Sequence, residues 1–134
     1  MALNVPDVGE NKMLEHIVNK TAPENLVLRL FTNNITPADS DVAGTYTEAN
    51  TSNFPGYSAI TLIGASWGAA SGGTIAYAQQ SFVCTGVATA DIYGYYLTQA
   101  TSGVLMWSEK DGAAPFAVRN SGDTVRVTPT LSAN

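Results

Sequence analysis

The stretch Asp91-Ile-Tyr-Gly-Tyr-Tyr-Leu-Thr-Gln-Ala-Thr-Ser-Gly-Val-Leu-Met-Trp-Ser-Glu109 decides the fold class. Between Ile92 and Gln99, the positions Tyr93, Tyr95 and Leu97 alternate with Ile92, Tyr96 and Thr98, so both faces of an extended segment are aromatic or aliphatic. A strand that is apolar on both sides needs cover above and below and does not sit at an open edge. A three-residue turn at Thr101-Ser102-Gly103, with Gly103 left-handed, places Leu97 opposite Trp107 and makes a stabilising cross-strand pair. The chain therefore reads as all-β.

The rest of the sequence extends that reading. Leu26-Val-Leu-Arg-Leu-Phe-Thr32 is a strand with Leu26, Leu28 and Leu30 on one face. Further strands are predicted at Tyr57–Ile63, Ala65–Ala69, Ile75–Tyr77, Gln80–Cys84 and Asp123–Leu131. Pro129 marks an edge or a strand end, and Gly/Ser/Asn clusters punctuate the runs. Seven or eight short strands with regular turn signals predict one β-sandwich or jelly-roll-like domain over 1–134. One helix is predicted over 9–19, where Met13, Leu14, Ile17 and Val18 recur at helical spacing. Asp7 is the expected N-cap and Glu10 its capping-box partner. Residues 1–8 read as an N-terminal arm, and the polar run 33–54 as a long surface loop.

Composition limits the function. Of 134 residues only 13% are charged, while 45% are apolar, so Thr, Ser, Asn and Ala fill much of the surface. Amides and hydroxyls cost less to desolvate than charges, which suits a surface that lies against another protein. A net charge of −5, with the six cations scattered, argues against wrapping nucleic acid. The N-terminus lacks the charged start and apolar core of a signal peptide, and no apolar run is long enough to span a membrane. Cys84 is alone and reads as a buried, inert thiol.

No motif announces a reaction or a cofactor. Gly64-Ala-Ser-Trp-Gly68 matches the nucleophile-elbow pattern in letters, but no helix pattern follows Ser66 and the one histidine, His16, lies upstream. Trp67 is better used as a core residue. Asp39, Asp41 and Glu48 offer oxygens for a Ca²⁺ ion, although their spacing matches no EF-hand and loop acids ordinarily cap turns. Most aromatics suit a core, but Tyr46 and Phe54 lie in the polar segment and read as interface anchors.

The opening Met1-Ala-Leu-Asn-Val-Pro-Asp-Val-Gly-Glu-Asn-Lys-Met-Leu14 and Asn25-Leu-Val-Leu-Arg-Leu-Phe-Thr-Asn-Asn-Ile-Thr-Pro-Ala-Asp39 resemble a family of small tailed-bacteriophage virion proteins. Tyr77-Ala-Gln-Gln-Ser-Phe82, Ile92-Tyr-Gly-Tyr-Tyr96, Leu105-Met-Trp-Ser-Glu109 and Gly122-Asp-Thr-Val-Arg-Val-Thr-Pro129 continue the resemblance along nearly the whole chain. It implies a capsid decoration (cement) protein at the virion surface, made in the host cytoplasm, with the major capsid protein and other copies of itself as partners. The competing expectation is a tail-fibre or baseplate module that grips a host-surface glycan or protein. Either role calls for a rigid core, extended polar segments and no active site. The expected contacts are Leu3, Val5 and Asp7 in the arm; Pro37, Asp39, Asp41, Tyr46 and Phe54 in the loop; and Asp111 and Phe116 in the last turn. The arm is expected to be removable without unfolding the domain.

Overall fold

Strand Gly94–Gln99 occupies the middle of the largest sheet, with cover on both faces. The computed structural model describes residues 2–133. In chain order these form β1 (Ala2–Asn4), α1 (Asp7–Ile17), β2 (Leu26–Phe31), β3 (Ile60–Leu62), β4 (Thr74–Ala76), β5 (Gln80–Val83), β6 (Asp91–Ile92), β7 (Gly94–Gln99), β8 (Leu105–Lys110), β9 (Phe116–Ala117), β10 (Thr124–Val127) and β11 (Thr130–Ser132). Five strands make an antiparallel sheet in the order β1-β8-β7-β2-β3, and three two-stranded ribbons pair β10 with β5, β11 with β4 and β6 with β9. Among the described residues the architecture is β-rich with one helix, in eleven short strands rather than about seven or eight.

Leu97 does face Trp107, and Gly103 is left-handed at φ +73°. The connection differs from the expected one. Gln99 N–H donates to Val104 O at 2.9 Å, which closes a four-residue loop, and a bulge between Leu97 and Thr98 in the register restores the Leu97–Trp107 pair. The bulge also lets Met106 and Trp107, adjacent in sequence, both enter the main core. That core joins Leu28, Leu30, Tyr95 and Leu97 of the sheet to Phe82, Val125 and Val127 of the ribbon β5–β10. On the opposite face Phe31, Tyr46, Tyr96 and Leu105 form a second cluster, covered by Val8 of α1 and by Ile35 and Ala43 of the long loop. The two-sided apolar pattern of β7 thus has two separate covers.

Several boundaries move. The strand predicted at 57–63 shrinks to β3, and 65–69 is not a strand: Gly64–Ser66 is a 3-10 turn closed by Ser66 N–H to Ile63 O at 2.9 Å. The run 123–131 breaks at Pro129, whose carbonyl accepts from Tyr77 N–H at 2.9 Å, and the two halves pair with different strands. The helix begins at Asp7 rather than Gly9. Its cap is Pro6, whose carbonyl accepts from the N–H groups of Gly9 and Glu10 at 2.9 Å each, so Asp7 is the first helical residue and not a side-chain cap. It ends near Val18, with Asn19 left-handed at φ 59°.

The N-terminal arm is not free. Leu3 pairs with Glu109 and Asn4 with Ser108 on the sheet edge, and Pro6 is buried. Removing residues 2–8 would strip an edge strand and uncover part of the core, so the expectation of a dispensable arm is corrected.

Candidate functional site

The three segments expected to touch a partner meet on one surface of the molecule. Leu3 and Asn4 of β1, Thr36 and Pro37 of the long loop, and Lys110 and Asp111 at the end of β8 line a shallow depression of about 460 Å³. Local hydrogen bonds hold its walls together. Asn4 Nδ2 donates to Ala38 O at 3.1 Å, Asp7 N–H to Asp39 O at 2.8 Å, and Lys110 Nζ to Asn34 Oδ1 at 2.7 Å. Lys110 also lies 5.9 Å from the centre of the Tyr93 ring, and the Asp111 carboxylate accepts from Ala113 N–H at 2.9 Å. Asp7, Asp39 and Asp111 are exposed around this region, while Leu3, Val5 and Pro37 are half-buried.

Four of the expected contact residues lie elsewhere: Phe116, 47% exposed, lines a different groove with Ile92 and Tyr95, and the other three are buried. Tyr46 is only 5% exposed, stacked on Tyr96 at 5.0 Å between ring centres and edge-on to Phe31 at 4.9 Å. Its hydroxyl donates to Asp41 Oδ2 at 2.7 Å and lies 2.8 Å from Ser108 Oγ. Burial, which disfavours the phenolate, raises its pKa far above the ordinary tyrosine value. Asp41 is buried too, and accepts from Ala38 N–H at 2.9 Å. Phe54 has no exposed surface at all. These side chains fix the loop rather than meet a partner, and the reading of Tyr46 and Phe54 as surface anchors is corrected.

The long loop is pinned along its length. Past the first residue of β3 it takes over the edge of β2, with Ala49 N–H on Leu30 O at 3.0 Å and Thr32 N–H on Thr47 O at 2.8 Å. Glu48 accepts from Arg29 Nη1 at 2.9 Å and from Tyr57 Oη at 2.8 Å, and Tyr57 Oη accepts from Leu30 N–H at 3.1 Å. Asp41 and Glu48 are therefore engaged in separate networks. Among the described residues there is no group of three or more His, Cys, Asp and Glu placed to hold a metal ion.

The other motifs resolve locally. Ser66 is exposed on its 3-10 turn, and Trp67 is half-buried against the core, edge-on to Tyr77 at 5.2 Å. His16 sits beside Thr21 O at 3.0 Å through Nδ1, and its Nε2 accepts from the Gln99 amide at 2.8 Å, which ties the helix end to the end of β7. Cys84 is buried, with Gly86 O 3.1 Å from its sulfur. Among the described residues no helix is long and apolar enough to cross a membrane.

A second surface escaped the sequence reading. Gly9 lies so close to the backbone of Met106 that a Cβ would collide with the Met106 carbonyl oxygen, and Met13 packs on the core. With Gly9 and Met13 turned inward, Leu14 (62% exposed), Ile17 (79%) and Val18 (72%) face solvent together. The apolar positions that predicted the helix are thus split between a buried side and an open one. The signal available in the sequence was Gly9, one turn before Met13, which marks the close-packed side.

No family model matches this sequence, and no curated protein matches it significantly.

Proposed function

We propose that this chain is a bacteriophage virion structural protein, a capsid decoration protein that binds and stabilises the head shell without catalysing a reaction. The observation that carries this reading is the convergence of β1, the 33–54 loop and the end of β8 on one hydrogen-bonded depression. A cement protein needs a stiff contact face, and many copies turn individually weak contacts into firm attachment. The sheet and the ribbons packed on its Leu28, Leu30 and Leu97 face suit the two layers of a β-sandwich of jelly-roll kind. The resemblance to small phage virion proteins points the same way.

Self-association fits the α1 surface. Leu14, Ile17 and Val18 are flanked by Glu10 on one side and Lys20 on the other, both exposed. Two copies related by a two-fold axis would bring these helices together antiparallel, with each Glu10 near the Lys20 of the other copy and opposed helix dipoles.

Quantitative mass spectrometry of purified heads and tails tests the assignment. A decoration protein is present in heads in hundreds of copies. A few copies confined to tails would replace this reading with that of a fibre or baseplate module binding a host-surface glycan or protein. The double variant Asp39→Lys, Asp111→Lys should fold normally and lower head occupancy; unchanged occupancy would remove the depression from the contact.

A further inference from the structure

A second groove, of about 440 Å³, opens between β10 and the sheet. Five consecutive residues, Thr124 to Thr128, line one wall, so the groove follows the strand. Gly94, Tyr95 and Glu109 of the sheet, with Ile92 and Phe116 of the β6–β9 ribbon, form the facing side. Among the described residues β10 has one neighbour, β5, which leaves its other edge unpaired. The direction of its backbone groups follows from one bond. Cys84 N–H donates to Asp123 O at 2.8 Å, so 84 and 123 are a bonded pair. Alternation along an antiparallel ladder then makes Phe82–Val125 and Gln80–Val127 bonded pairs. The N–H and C=O groups of Thr124 and Arg126 point away from β5, toward the free edge.

The groove also has a chemical polarity. Val125, Val127, Ile92 and Tyr95 are buried apolar side chains that contribute to its walls. Phe116, 47% exposed, stands among them. Glu109 is half-buried on the core-facing side of β8, with the Tyr95 hydroxyl at 3.4 Å and no ion pair among the described residues. Asp111 adds a second carboxylate to the same lining. Arg126 carries its side chain on the exposed face, opposite the buried Val125 and Val127.

We propose that this groove receives an extended segment of another protein as an added strand on β10, with an apolar residue in the groove and a Lys or Arg against Glu109. Main-chain pairing supplies the attachment, while the apolar contact and the carboxylate select the sequence. The groove stands on its own geometry. On the decoration reading the donor would be a segment of the shell subunit.

The test titrates the isotope-labelled full chain with the blocked hexapeptide Thr-Val-Lys-Val-Thr-Lys and with the same peptide carrying Glu in place of both Lys. The lysine peptide should shift the amide signals of Thr124 and Arg126, slow their hydrogen exchange and give nuclear Overhauser contacts to the Arg126 amide. The glutamate peptide should bind about three- to fivefold more weakly. Arg126→Pro removes an edge donor while leaving the β5 pairs intact and should abolish binding. Glu109→Gln should erase the preference for lysine, and it keeps the proposal testable if the proline variant fails to fold. The proposal is overturned if the Thr124 and Arg126 amides are unmoved at about 10 mM lysine peptide, or if the two peptides bind equally. It also fails if chitotetraose perturbs the groove where the peptide does not. The copy count in purified heads and tails is measured independently of this titration, so a failed groove and a failed decoration reading are told apart.

Discussion

Tyr46 shows how a residue's neighbours in sequence mislead about its neighbours in space. Polar flanks pointed to the surface, yet the ring completes a cluster with Phe31 and Tyr96, and its hydroxyl meets Asp41 and Ser108. The partner residue is 62 positions away, which no local pattern reveals. Tyr46→Phe keeps the ring but leaves buried Ser108 and Asp41 short of a partner, and should cost about 1–3 kcal/mol in urea unfolding. Trp107, 3% exposed, makes the opposite case: its position opposite Leu97 was legible, and Trp107→Ala should cost about 3–5 kcal/mol or prevent folding. Glu109 gives a pH signature. Burial raises its pKa above the ordinary 4.5, so the folded chain holds this proton to higher pH than the unfolded chain does. Its contribution to stability is full below the ordinary carboxyl range and is lost as pH rises through the raised value. Glu109→Gln should therefore gain stability relative to the parent as pH rises from the ordinary carboxyl range, measured as the difference in unfolding free energy. A difference that is flat with pH would place the carboxyl in water.

Elements were legible in proportion to their length and to how far their own residues specify their surroundings. β2 and β7, six residues each, carry apolar patterns that demand burial; β2 appears where the sequence puts it, while the run read as one strand over 92–99 divides at Tyr93 between β6 and β7. β1 and β9 have three and two residues, and they exist because distant partners, β8 and β6, offer edges to them. The predicted strand at 65–69 fails because, within Gly64-Ala-Ser-Trp-Gly68, only Trp67 has an apolar bulk to bury and a tight turn satisfies the backbone locally. Close approach between elements was equally hidden. A Cβ on Gly94 would strike the Glu109 carbonyl oxygen and come within 2.8 Å of the Phe31 ring. Gly94→Ala should consequently cost about 1–3 kcal/mol, with both neighbouring strands displaced, as judged by denaturation and by amide exchange in β8. Of the candidate site, the three segments were readable in sequence but their convergence was not, because it depends on β1 pairing with the end of β8 and on Asn34 and Ala38 being drawn to it.

At the scale of the whole molecule, the question is what an apolar helix face does when the domain has no use for it. Leu14, Ile17 and Val18 contribute little to the fold: each is more than half exposed, whereas Gly9 and Met13 make the contacts that seat the helix. Exposed apolar side chains occur singly on ordinary surfaces, but three at i, i+3 and i+4 on one short helix form a contiguous patch. If the patch pairs copies across a two-fold axis, the double variant Leu14→Lys, Ile17→Lys removes the apolar contact and sets like charges against one another, since each residue meets the same patch on its mate. The variant should sediment as a monomer at concentrations where the parent self-associates. Its unfolding at high dilution should change by no more than about 0.5 kcal/mol, because the substituted side chains are solvated in the monomer. The reverse pattern, a large loss of stability with assembly unchanged, would mean that α1 is held to the sheet by these residues after all. The same pair of measurements on Gly9→Ala separates the two faces of the helix: there the folded monomer should suffer first, because the added methyl pushes α1 off the backbone of β8.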